Sequence, residues 1–331
     1  MSIDRRVLLS GLAGIAYPAA AGDFGPLQGS LFPVHDPCLI RANGLYHVFS
    51  TSQMRETPGL IHWRTSPDLM NWTYKGTVLP SYLDWLPNEL PDARGAWAPD
   101  IVFADGEYRL YYSVSMFGKN TSRIALLTSP TLDSADPTYG WTDHGVVVRS
   151  ETSNDFNAID SHAFIDDDGR HWLSWGSFWT GIKLAELDPA TGKLKKPKGL
   201  PRSLAGRDAP GAIEAPVIFK RGGFYYLFAS FDACCRGINS TYHTVVGRAK
   251  AITGPYLDDK GKSMMNGGGR IVLHADLDPT GRWKGPGHCD VISDEGQDHI
   301  VYHAYDAQNG GRPTLRVDRL TWTADGWPVR A

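Results

Sequence analysis

Glu214, the pair Gly222–Gly223 and the run FYYLFAS at residues 224–230 set out one unit of this chain: an acidic residue, a tight turn, an aromatic strand. The plan recurs four times. Asp36 precedes Gly44 and LYHVFS, Asp100 precedes Gly106 and EYRLYYS, and Asp160 precedes Gly169 and RHWLSWG. In the last copy a histidine takes the leading place, with His288 before Gly296 and QDHIVYHAY. Asn-Gly, Asp-Gly, Gly-Gly and Glu-Gly pairs supply the positive φ that a short hairpin needs, so each copy reads as strand, turn, strand.

A third apolar, alternating strand follows each hairpin, often closing on a Ser-Pro, Asp-Pro or Gly-Pro turn before a short fourth. The turn glycines at 44, 106, 169, 223 and 296 recur at a spacing that suits a propeller with elaborated blades. The fold predicted is therefore all-β: a five-bladed β-propeller of four-stranded blades around a central channel. Its blades fall at about residues 32–80, 95–149, 157–202, 212–262 and 284–331, within one catalytic domain over 32–331. A chain of 331 residues exceeds the usual single core, but repeats escape that limit because each buries its face on its neighbour. First strands lie innermost in a propeller, so Asp36, Asp100, Asp160, Glu214 and His288 are expected to ring one mouth of the channel.

The formal net charge is −3 with no basic run, which argues against nucleic acid or an anionic membrane as partner. Residues 1–21 carry Arg5-Arg6, a short apolar stretch and Ala19-Ala20-Ala21. That pattern predicts a twin-arginine-like export signal and a periplasmic or secreted protein. Cys38, Cys234, Cys235 and Cys289 fit no zinc spacing. Cys38 and Cys289, placed just after Asp36 and His288, read as small buried apolar residues at equivalent places. Cys234 and Cys235 could close a strained vicinal disulfide in an oxidising compartment.

Carboxylates gathered in a cleft rich in Trp and Tyr suit glycoside hydrolysis. One carboxyl must be protonated to release the leaving oxygen, and a second must be ionised to act as base or nucleophile. Like charges nearby raise the acid's pKa.

His35-Asp36-Pro37, Trp97-Ala-Pro-Asp100, Ala158-Ile-Asp160 and Ile213-Glu214-Ala-Pro216 together resemble glycoside hydrolase family 43. Ser230-Phe-Asp-Ala-Cys234-Cys235-Arg-Gly237, Ser177-Phe-Trp179, Gly285-Pro-Gly-His288 and Tyr302-His-Ala-Tyr-Asp306 bring the likeness closest to its endo-1,5-α-L-arabinanases. The resemblance covers the chain from about residue 32 onward. It implies an inverting hydrolysis of internal α-1,5-L-arabinofuranosidic bonds, with Asp36 as general base, Glu214 as general acid and Asp160 raising and orienting Glu214. Base and acid then stand about 6.5–9.5 Å apart, with no covalent intermediate. Asp100 is expected to be structural.

The same resemblance implies a metal site at His288, usually calcium, and no organic cofactor. It implies sugar contacts from His35, Trp97, Gly118, Asn157, Ala158, Ile159, Ser177, Phe178 and Trp179, although aromatic and small residues at blade mouths also serve as packing. The substrate implied is plant cell-wall arabinan or its oligosaccharides, acted on by a monomer. Two other readings stand beside this one: an exo-acting α-L-arabinofuranosidase or β-xylosidase of the same family, and a sugar-binding propeller without catalysis.

Overall fold

The innermost strands of five sheets, Cys38–Ala42, Gly95–Ala104, His162–Ile165, Ile213–Arg221 and Trp283–Asp294, touch one another in turn, and the last touches the first. This closed ring is the propeller channel. The structure is a computed structural model that describes residues 26–53, 59–81 and 83–331. The expected export segment at 1–21 lies outside the described residues.

Each sheet runs in sequence order from the channel outward, as in the fourth blade: Ile213–Arg221, Phe224–Phe231, His243–Ala249, Arg270–Leu273. That outermost strand lies beyond the limit of 262 expected for the blade. Blades one and two each gain a two-residue strand, Gln28–Gly29 at the outer edge and Ser52–Gln53 at the inner edge respectively. The ring is laced shut by Val34, whose N–H donates to Pro313, and by Leu315, whose N–H donates to Leu31.

Strand alternation sends neighbouring side chains to opposite blade faces. Tyr226 and Phe228 therefore pack against blade five with Ile300 and Tyr302, while Leu227 and Ala229 pack against blade three with Ile182 and Leu184. Among the described residues, five apolar clusters lie one between each adjacent pair of blades. No blade can bury both faces alone, which is why the repeat must close.

The inner strands correct one expectation. Each contains, or follows by two residues, a residue with positive φ: Asp36 (53°), Ala98 (44°), Asp160 (58°), Ala215 (54°) and His288 (47°). In blades two, four and five this residue sits in a break of the ladder register, a β-bulge at the head of the strand. These five are the equivalent positions. Glu214 lies one residue before its bulge, level with His35 and Trp97. Asp100 lies two residues after its own, level with Cys38, His162 and Asp290. Cys38 and Cys289 are likewise one register apart, and they face different inter-blade clusters. Four of the five hairpins turn on two residues, and counting back eight from Gly44, Gly106, Gly223 and Gly296 lands on Asp36, Ala98, Ala215 and His288, so the spacing itself carries the shift.

Candidate active site

The bulges share one device. A bulged residue turns its N–H out of its own ladder, and a side chain of the preceding blade accepts it. Ala98 donates to Thr51 Oγ1 (2.9 Å), Asp160 to Ser113 Oγ (3.0 Å), His288 to Ser230 Oγ (2.8 Å) and Asp36 to His303 Nδ1 (3.1 Å). All four acceptors stand at the same register of the second strand or just past its end. In blade three that register falls at Gly176, which has no side chain. The Ala215 N–H goes instead to the Asp160 carboxylate. The lapse ties Asp160 to the residue next to Glu214.

Asp36 is held from every side. Its Oδ1 meets His35 Nδ1 at 2.8 Å and His288 Nδ1 at 3.1 Å, and its Oδ2 accepts from Thr51 Oγ1 at 2.6 Å. Burial alone would raise its pKa, but His35 and His288 override it and hold the carboxyl well below the usual range. Burial opposes charge on the histidines too. Asp36 outweighs it, so His35 is raised well above the ordinary imidazole value and His288 is raised to about 9.

Glu214 has the opposite environment. It is 8% exposed, and its Oε2 accepts one hydrogen bond, from Ser177 Oγ at 2.7 Å. Burial raises its pKa, with Ser177 and the nearby Tyr242 hydroxyl opposing. Burial pushes Asp160 well up as well, opposed by His288 and reinforced by Glu214 and Asp36. The pair therefore keeps a proton when Asp36 has lost its own. Ser177 donates to Oε2 of Glu214, and the Tyr242 hydroxyl stands near the same carboxyl.

The ring thus brings together the three acids and His288, with His35 and Trp97 level with Glu214. Trp97 is half-buried. Ala158 and Ile159 are buried in the strand lead-in, and the Ala158 N–H donates to Ser150 Oγ. Asn157 is bound into the scaffold: its Oδ1 accepts from Ser122 Oγ (2.6 Å) and its Nδ2 donates to Lys119 (3.4 Å). It thereby holds the loop that carries Gly118, which is exposed. Phe178 and Trp179 both have positive φ, and Trp179 is 40% exposed beside the turn. Asp100 has both oxygens engaged across to blade three, with the Ala163 N–H (2.7 Å) and His162 Nδ1 (3.1 Å).

Thr51, His303, Tyr305, Tyr242 and Phe117 are the site residues that sequence reasoning did not assign. His303 stacks on His35 at 3.8 Å between ring centroids, and Tyr305 Oη meets His35 Nε2 at 2.7 Å. Phe117, 81% exposed, stands next to Gly118. The signal for His303 and Tyr305 was their i, i+2 spacing in Tyr302-His-Ala-Tyr-Asp306, which puts both on one face.

Among the described residues, the groups of three ligand atoms close enough to share an ion are His35–Cys234–Cys235 and His35–Asp36–His303. His288 is in neither, and its Nδ1 lies against Asp36. An ion at His288 would have one imidazole nitrogen from the protein and otherwise water, a poor donor set for a hard cation.

One carboxyl held below its usual range, in a channel with two held above theirs, is the pairing that glycoside hydrolysis uses. The model of glycosyl hydrolases family 43 matches residues 32–328, and the chain belongs to that family. It is 44% identical to the extracellular endo-α-(1→5)-L-arabinanase 1 of Bacillus subtilis, over 95% of this chain and 91% of that protein. It is 40% identical to the extracellular exo-α-(1→5)-L-arabinofuranosidase of Cellvibrio japonicus, over 89% and 85%. The structure of a Cellvibrio cellulosa α-L-arabinanase complexed with arabinohexaose superposes with a TM-score of 0.84 at 38% identity, over 90% of this chain and 95% of that one. The non-catalytic sugar-binding propeller is set aside by this membership.

Proposed function

We propose that this chain hydrolyses internal α-1,5-L-arabinofuranosidic bonds of arabinan with inversion, as an exported monomer. The observation that carries the reading is the contrast within one ring between Asp36, bonded to His35, His288 and Thr51, and the buried Glu214, which faces no cation so closely. Asp36, ionised and fixed by His35, His288 and Thr51, takes the proton from a water that attacks the anomeric carbon. Glu214 delivers its proton to the departing oxygen. Asp160, anchored by the Ala215 amide, keeps the pair protonated and is the neighbour against which Glu214 regains its proton. Trp97, Trp179 and Phe117 offer apolar faces for the sugar rings.

The exo-acting alternative has its own support, because a 40% identical relative is an exo-acting arabinofuranosidase. The product profile on linear arabinan, arabinoxylan and xylan separates the two. Internal cleavage gives mixed oligosaccharides and a rapid fall in viscosity, whereas release of monosaccharide alone from chain ends would refute the endo reading. Proton NMR of the first product reports the anomer, and a retained configuration would remove Asp36 as base. An ion at His288 stays a proposal. It would offset the charge of the surrounding carboxylates, and no step above passes through it. Stability and rate after exhaustive chelation test it.

A further inference from the structure

The strongest feature that the reaction leaves unused is the thiol pair beside His35. Cys235 Sγ lies 3.9 Å from His35 Nε2, and the ligand atoms of His35, Cys234 and Cys235 all fall within 4.8 Å of one another. A tetrahedral zinc site with bonds of about 2.3 Å to sulfur and 2.0 Å to nitrogen has S···N and S···S edges of about 3.5–3.8 Å. The Cys235–His35 edge at 3.9 Å needs only a few tenths of an ångström of adjustment, and the two edges to Cys234 Sγ, both within 4.8 Å, close by about 1 Å at most.

The rest of the shell is in place. A metal-binding histidine characteristically donates its other N–H to a carboxylate, which fixes the tautomer and the ring. His35 does this to Asp36, Nδ1 to Oδ1 at 2.8 Å. Its ring is held flat against His303. Cys235 is exposed, so an ion can enter from solvent without opening the fold. Its peptide N–H is pinned by Tyr305 Oη at 2.7 Å, which fixes the turn that presents both sulfurs. Two thiolates and one imidazole select a borderline or soft cation over calcium or magnesium.

The geometry points to a second, thiophilic metal site formed by His35 Nε2, Cys234 Sγ and Cys235 Sγ, which takes Zn2+ or Cd2+ and switches hydrolysis off. Binding releases the thiol protons and the Nε2 proton of His35, and replaces the Tyr305 bond to Nε2. The His35 imidazolium that pairs with Asp36 gives way to an imidazole on an ion whose charge the two thiolates cancel, so Asp36 loses a cation that holds it ionised as the base. The inhibition rests on the role proposed for Asp36; the metal site does not.

The test uses the exported chain, reduced and desalted without oxygen. Cd2+ should give an ultraviolet thiolate-to-metal charge-transfer band that saturates at one ion per chain. Zn2+ should inhibit arabinan hydrolysis, and a chelator should restore it. In Cys234→Ser/Cys235→Ser the band should vanish. Loss of outer-shell partners alone costs about 10–100-fold in affinity, so losing two ligands should raise the inhibitory Zn2+ concentration by at least about 100-fold. Each variant is compared with its own metal-free rate, and Cys235→Ser alone makes the same prediction if the double variant fails to fold. An absent band, or equal Zn2+ inhibition of the serine variant, overturns the site. A saturating band with unchanged hydrolysis upholds the site and overturns Asp36 as base.

Discussion

Ser177→Ala isolates the acid. The Ser177 hydroxyl is the hydrogen-bond donor to Glu214 Oε2, at 2.7 Å and with both residues buried. It stabilises the ionised form and so opposes the rise that burial imposes on Glu214. A hydrogen bond to a charged group contributes about 1.5–3 kcal/mol. At 1.36 kcal/mol per pKa unit, its loss raises the pair's pKa by about 1–2 units. The alkaline limb of kcat/KM, which reports loss of the acid's proton, should move up by that amount, while the acid limb set by Asp36 stays in place. Because a weaker acid transfers its proton less readily, kcat at neutral pH should also fall. The assay is a pH profile of kcat/KM on a linear arabino-oligosaccharide, with far-UV circular dichroism to confirm the fold. An alkaline limb that stays still or moves down would refute the assignment of Glu214 as acid, or of Ser177 as its tuner.

Glu214→Gln should lower turnover on arabinan by about 10²–10⁴-fold with an unchanged dichroism spectrum, as expected for loss of a general acid. In Thr51→Val the acid limb should move up by about 1–2 units, since Asp36 loses a donor that favours its ionised form. The alkaline limb should stay where it is. His288 is raised to about 9 from an ordinary value of about 6.5, so its stabilising contribution is complete below about pH 6.5 and is lost as pH rises through 9. Differential scanning calorimetry should show Tm falling across that window and a flatter fall in His288→Gln. The product profile and the Zn2+ titration described above complete the set.

Much of the fold was legible because the turn chemistry repeats. Asn43-Gly44, Asp105-Gly106 and Gly222-Gly223 marked hairpins whatever lay around them, and five copies implied closure. The acids Asp36, Asp160 and Glu214 were legible only as a set. Register was legible only by counting from the turn: Asp100 stands six residues before Gly106 where Asp36 stands eight before Gly44, so it sits two residues deeper, and a likeness of residue type hid the difference. Thr51, Ser177 and His303 owe their roles to contacts across blades, and Tyr242 to its nearness to Glu214 within its own blade. Short-range pattern carries no record of such contacts. Asn157 shows the converse, since a polar residue next to a catalytic motif proves to be a brace.

Gly176 carries a consequence for how the ring could be rebuilt. With φ at 136°, and with any added Cβ only 2.4 Å from the Gly181 carbonyl, this position admits no side chain. Blade three is therefore not exchangeable with its neighbours, even though its strands would fit their places. Grafting the Thr51 or Ser113 pattern onto it would make the five copies more alike, but it would drive the new side chain into the Gly181 carbonyl. The ring can therefore be perfectly regular or can keep this wall beside Glu214, and the sequence keeps the wall.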